Sequence, residues 1–133
     1  MIKEFSISSS KKEQILDISD QVAKIVAESK VKDGICLIFV PHATAAVMIN
    51  ENYDPNICDD ILDALRKSVP EGGWRHDRVD GNATAHIKAS WVGPSQVVLV
   101  KDGKLILGTW QSIMLADFDG PKKRRVVVQL IQS

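Results

Sequence analysis

The 133 residues, 44% of them hydrophobic, suit one globular domain spanning 1–133, since compact domains commonly run to roughly 100–150 residues. Lysine plus arginine number 17 and aspartate plus glutamate also number 17, so no overall field draws the chain to phosphate backbones or anionic lipid, and neither nucleic acid nor a membrane is an expected partner. No apolar stretch approaches the roughly 18 residues of a membrane span, and MIKEFSISSSKKEQ lacks the continuous apolar region of a signal peptide, so a cytoplasmic location is expected.

In chain order, IKEFSIS alternates weakly and reads as a strand. The next stretch, KKEQILDISDQVAKIVAESK, divides into a second strand over KEQILDI and a helix over roughly residues 19–30 with Ser19 as N-cap. ICLIFV is an unbroken apolar run and predicts a central strand with both faces covered. AVMIN follows as its successor. Asp54 and Pro55 then mark a helix start, with Ile57, Ile61, Leu62 and Leu65 on one face and Arg66 and Lys67 placed late to suit the dipole. Residues 71–84, EGGWRHDRVDGNAT, have no buried periodicity, and long irregular loops in compact domains are often functional. TAHIKASW predicts one or two helical turns capped by Thr84, and QVVLV, Asp102-Gly103 and KLILGTWQSIML predict a hairpin that puts Gly108 to Gln111 inside a strand. RVVVQLIQ supplies a last strand. About two main helices against six to eight strands imply an α+β fold whose sheet closes or folds back on itself. Cys36 and Cys58 lie in unlike contexts with no C-x-x-C spacing, so two free thiols are expected.

The three histidines all sit in polar breaks: His42 after the buried strand, His76 in the long loop, His86 in GNATAHIK. Three neutral imidazoles suffice for a zinc-type site with an open position, although only the fold can bring them together. Each has carboxylates nearby in sequence: Glu51 after the first, Asp77 beside the second, Asp80 upstream of the third. In an extended AVMINEN, Asn50 and Asn52 would share one side and Glu51 the other. DGPKKRR reads mainly as a solvated turn, with Arg124 or Arg125 available to an anionic ligand or an acidic neighbouring subunit.

Taken in order, PHATAAVMINEN followed by DP, GNATAHIKAS, DGKLILGTWQSI and DFDGPKKRRVVV resemble the YjbQ-like family of small, formerly uncharacterised proteins, sometimes labelled secondary thiamine-phosphate synthases. The resemblance implies a mixed, mainly antiparallel α+β barrel-sandwich hybrid that assembles as a homotrimer. It also implies a pocket near the subunit interface lined by His42, Thr44, Asn50, Glu51, Asn52, His76, His86, Lys88, Thr109, Trp110 and Gln111. Within that set His42, His76 and His86 are the expected metal ligands, and Glu51, His76 and Lys88 the expected catalytic groups. Thr44, Asn50, Asn52, Thr109, Trp110 and Gln111 are then expected to hold a phosphorylated small-molecule ligand. A divalent metal, Zn²⁺ or Mg²⁺, fits this expectation, and no organic cofactor does. The chain departs from the common family pattern at Ala43, which lacks a hydroxyl, and at Lys122, which lacks the bidentate fork of arginine.

The activity attached to the family is a transfer that joins a hydroxymethylpyrimidine diphosphate to a thiazole phosphate and releases pyrophosphate. Diphosphate departure usually uses Mg²⁺ held by carboxylates with basic residues on the phosphates, whereas an imidazole-rich set suits Zn²⁺-type chemistry. Two alternatives stay open at this point: a non-catalytic small-anion binding protein, and a metal-dependent hydrolase of a phosphorylated small molecule.

Overall fold

Two antiparallel sheets carry the fold, and a computed structural model that describes all 133 residues shows how the apolar runs assign themselves between them. The first sheet has five strands in the order β1 (Ile2–Ser8), β8 (Lys123–Gln132), β3 (Gly34–Phe39), β5 (Ser95–Lys101) and β6 (Lys104–Leu105). The second has three, β2 (Gln14–Asp17), β7 (Ser112–Asp117) and β4 (Ala45–Asn50). Helix α1 (Ser19–Ser29) helps close the core, while α2 (Pro55–Ser68) and α3 (Ala83–Val92) pack outside the three-stranded sheet. This is the α+β barrel-sandwich architecture expected, with three helices rather than two and every strand pair antiparallel.

Alternation along the strands fixes which side chains meet. From β4, Ala45, Val47 and Ile49 turn into the main core with Ile18, Val22 and Val26 of the α1 region, Cys36 and Ile38 of β3, and Val126 and Val128 of β8. Ala46 and Met48 turn the other way, to a smaller cluster with Leu62 of α2 and Ala85 and Ala89 of α3. The strands covered on both faces are therefore β4 and β7, whose Ile113 and Leu115 join the main core and Ala116 the smaller cluster, and not ICLIFV as its unbroken apolar run suggests. In β3, Cys36 and Ile38 are buried while Ile35 and Phe39 remain 38% and 41% exposed.

Several local signals read from the sequence take a different structural role. Asp54 does cap α2, accepting the Asn56 N–H at 2.9 Å. Ser19 does not cap α1: its hydroxyl accepts the Ile113 N–H at 2.9 Å and stitches the helix to β7, and Asp17 takes the Ser19 N–H instead. Thr84 is an interior residue of a ten-residue α3, its hydroxyl donating to Glu71, and Asn82 stands at the cap position. The Asp102-Gly103 hairpin forms, but its second strand stops at Leu105, and Gly108 to Gln111 form the irregular crossing and turn that carries the chain to the other sheet. Both cysteines are free, and burial pushes the Cys36 thiol up to about 11.

One buried ion pair ties the sheets together. Arg124 of β8 donates through Nε to Asp117 Oδ2 at 3.0 Å and through Nη2 to Oδ1 at 2.6 Å, and Nη2 also reaches Thr44 Oγ1 at 2.9 Å. Ser9 Oγ donates to the same carboxylate at 2.6 Å. Burial alone would push the Asp117 carboxyl up, but the hydrogen bonds from Arg124 and Ser9 outweigh it and hold the group below its ordinary range. Gly120 lies so close that a Cβ there would run into the Lys11 carbonyl and the Ser9 hydroxyl. Arg124→Met is expected to lower the unfolding free energy by about 3–5 kcal/mol, since it strands a buried carboxylate. Urea denaturation checks this, and Arg124→Met combined with Asp117→Leu should recover part of the loss.

Candidate functional site

Helix α3 decides which of its residues reach solvent. Ala85, Lys88 and Ala89 face inward, so His86 and, one turn on, Ser90 face outward. Opposite His86 stands a single 3-10 turn, Arg75–Arg78, which presents His76. The two imidazoles meet edge to face, with centroids 4.8 Å apart and planes at 82°. Asp80 Oδ2 lies 3.6 Å from His76 Nε2. Beside this pair opens a hollow of about 530 Å³ walled by Trp74, Arg75, Ala83 and Ile87. The Trp74 indole is fixed by an N–H donated to the Pro70 carbonyl at 2.8 Å.

His86 also borders a second, smaller hollow of about 250 Å³ with His42 and Ser90 on its walls. His42 is already engaged: its Nε2 accepts the Arg125 N–H at 2.8 Å, capping β8 where its pairing with β3 ends. Burial first, and then the Arg124 and Arg125 charges, hold its pKa below the ordinary histidine value. A neutral ring that accepts at Nε2 carries its proton on Nδ1, so ligating a metal would cost either the Arg125 bond or that proton. No group of three or more His, Cys, Asp or Glu side chains is arranged to hold a metal ion, so the expected His42, His76 and His86 ligand set does not assemble within one chain.

The rest of the expected pocket lies elsewhere. Strand β4 runs between His42 and Glu51, and its five steps of about 3.3 Å hold its own ends, Ala45 and Asn50, roughly 17 Å apart. The strand stops at Asn50, whose Oδ1 accepts the Glu51 N–H, so the alternation predicted for Glu51 and Asn52 does not apply. Asn52 is spent on Asp17 Oδ2 at 3.0 Å and on the Cys58 thiol at 3.4 Å. Trp110 meets Tyr53 edge to face at 5.4 Å, both rings well exposed, while the Gln111 amide oxygen folds back on the Gly108 N–H. Thr109 is exposed in the same turn. Thr44 belongs to the Arg124 network, Arg124 is not free to meet a ligand, and Arg125 pairs with Glu4 at the surface.

Lys88 is not in the histidine hollow either. It is 2% exposed and donates to Glu13 Oε2 at 2.8 Å, and Glu13 Oε1 accepts from Arg66 of α2 at 2.6 Å. The lysine therefore ties α3 to the lead-in of β2. Sequence reading missed Trp74, Arg75 and Ile87 as walls of the hollow, although the long polar segment carrying the first two stood out for its lack of periodicity.

Comparison with known proteins gives this arrangement its context. Residues 3–133 match the family model described as UPF0047 protein YjbQ-like. The chain belongs to that family. A UPF0047 protein of Methanocaldococcus jannaschii is 46% identical over 131 residues, 98% of this chain and 94% of the relative. Among solved structures, a YbjQ-like protein of unknown function from Sulfolobus solfataricus superposes with a TM-score of 0.97 at 38% identity, covering 100% of this chain and 97% of that one. An uncharacterised family member from Clostridium acetobutylicum gives 0.93 at 48% identity, covering 97% and 99%. The chain contains no helix long and apolar enough to cross a membrane.

The His42 bond sets a pH dependence. The folded chain takes up that proton less readily than the unfolded one, so stability rises with pH between the lowered pKa and the ordinary 6.5 and is lost as pH falls through that window. Denaturation midpoints are expected to drop between about pH 7.5 and about pH 5, and His42→Gln, whose amide oxygen accepts the same N–H without titrating, should flatten that part of the curve.

Proposed function

We propose that this chain is a small metabolic enzyme that acts on a phosphorylated small molecule in the His76/His86 hollow and works as a homotrimer. The observation that carries the reading is the edge-to-face imidazole pair beside Arg75 in a hollow of about 530 Å³. Imidazoles move protons near neutral pH, the guanidinium suits a phosphate, and Trp74 and Ile87 offer apolar surface to a flat ring. The transfer that the family resemblance implies asks for those three provisions. A pyrimidine ring would lie against Trp74, its diphosphate toward Arg75, and a protonated imidazole would meet the departing pyrophosphate.

A metal is left out of these steps, because His42 is committed to Arg125 and the hollow holds no carboxylate pair. Mg²⁺ would arrive with the diphosphate rather than be held beforehand by the chain. Stoichiometric Zn²⁺ in untagged protein would contradict this.

The outer face of the five-stranded sheet supports assembly. Ile35 lies in register between Leu99 and Ile131, Leu37 faces Val97, and Phe39 faces Val127, a row of apolar side chains with Val97 and Leu99 56% and 57% exposed. Exposed apolar patches of this kind mark interaction surfaces. Glu51, Trp110 and Gln111 line neither histidine hollow of their own chain, and in an assembly they would approach that of a neighbouring subunit.

Light scattering is expected to give three times the 14.7 kDa chain mass, and Leu99→Lys a smaller particle with an intact fold. In an assay for thiamine phosphate formation, His86→Ala and His76→Ala should each lower turnover by about 10²-fold or more. Full activity in both variants would sink the acid–base reading, and binding without turnover in the unmutated chain would favour a non-catalytic anion binder.

A further inference from the structure

The segment that carries His76 differs in construction from everything around it. It leaves α2 at Pro70, turns at Gly72 and Gly73, makes its one 3-10 turn, and turns again at Gly81 before α3. All three glycines have positive φ, +84°, +80° and +66°, and a Cβ built on any of them meets nothing within 4 Å. Packing does not require glycine there. The backbone conformation does, and such positions absorb rotation readily.

Between the two glycine turns no large apolar side chain is buried: Trp74 is 37% exposed and Val79 75%. The ties to the body of the protein converge on the start of α3, where Glu71 accepts from Thr84 at 2.9 Å and Asp77 accepts the Ala83 N–H at 3.2 Å. Those bonds, with the Asp80 contact to His76, occupy every carboxylate of the segment. Its arginines are left over. Elsewhere Arg66, Arg124 and Arg125 each hold a carboxylate, whereas Arg75 and Arg78 make no ion pair. Arg75, which lines the hollow, lacks a counter-ion that a ligand can supply, and Arg78 ends the same 3-10 turn.

We propose that residues 72–81 are a hinged flap that closes on a di- or polyphosphate group bound against His86, with Arg75 and Arg78 as the flap's contacts to that group. The proposal rests on the anion-binding reading of the hollow. Helix α3 is the fixed wall and the 3-10 turn the moving one, so closure changes the relation of His76 to His86 and shelters the phosphate from water. Local opening of this kind belongs to segments with little buried apolar surface.

Hydrogen exchange on the full chain, read by mass spectrometry with and without inorganic pyrophosphate, tests the flap. Residues 72–81 are expected to exchange quickly in the free protein while α3 beyond Ile87 is protected, and pyrophosphate should slow the flap by about tenfold or more without altering β5. Arg75→Gln with Arg78→Gln should leave free-protein exchange unchanged and abolish the slowing, and Lys101→Gln, on the far sheet, should leave both intact. Exchange in the free flap as slow as in α3 overturns the proposal. So does pyrophosphate that binds by calorimetry with no change over 72–81, a result that leaves the anion-binding reading standing. Absence of binding overturns both.

Discussion

A guanidinium and a carboxylate buried between two sheets hold this molecule in register. Arg124 enters from the five-stranded sheet and Asp117 from the three-stranded one, and neither could remain there ionised without the other. Their neighbours are set by the same requirement. Thr44 takes a second bond from the same arginine nitrogen, Nη2, Ser9 and the Asp119 N–H donate to the carboxylate, and Gly120 is the residue small enough for the chain to pass beside them. Because Arg124 is turned inward, Arg125 faces outward on the adjacent position of β8, and the Arg125 N–H is bonded to His42. One of the three histidines expected in the site is thus bonded to the backbone next to this pair.

What could be read from the sequence was whatever is encoded locally. Asp54-Pro55 starts a helix because an acceptor and a preset φ act within three residues, and Asp102-Gly103 turns a hairpin for similarly short-range reasons. The error at ICLIFV has a different origin. Apolarity reports that a face suits burial, not that any element covers it, and the outer face of β3 stays partly exposed. Lys88 and Thr44 misled for a related reason: a polar residue in a suggestive motif looks functional until its partner, far away in sequence, is seen. Glu13 is 75 residues from Lys88, and Arg124 is 80 from Thr44.

The candidate site was legible in part. The polar segment after α2 and two of the three histidines do converge, and the absence of periodicity in that segment was the signal. Glu51 and the Trp110 turn were placed with them by motif order, yet a regular strand lies between and cannot be shortened. Convergence of sequence motifs on one ligand and convergence within one chain are separate claims, and β4 separates them here.

The outward row of Ile35, Leu99 and Ile131 also bears on how the protein is made. A newly folded chain that shows such a row to water is at risk of aggregating with other chains. The edges of that sheet are built against the danger. Strand β6 is two residues long with Lys101 and Lys104 paired at its end, and β1, at the other edge, carries Lys3 and Glu4. Charge at the margins discourages the strand-by-strand growth that leads to fibres, even with an apolar row in the middle of the sheet.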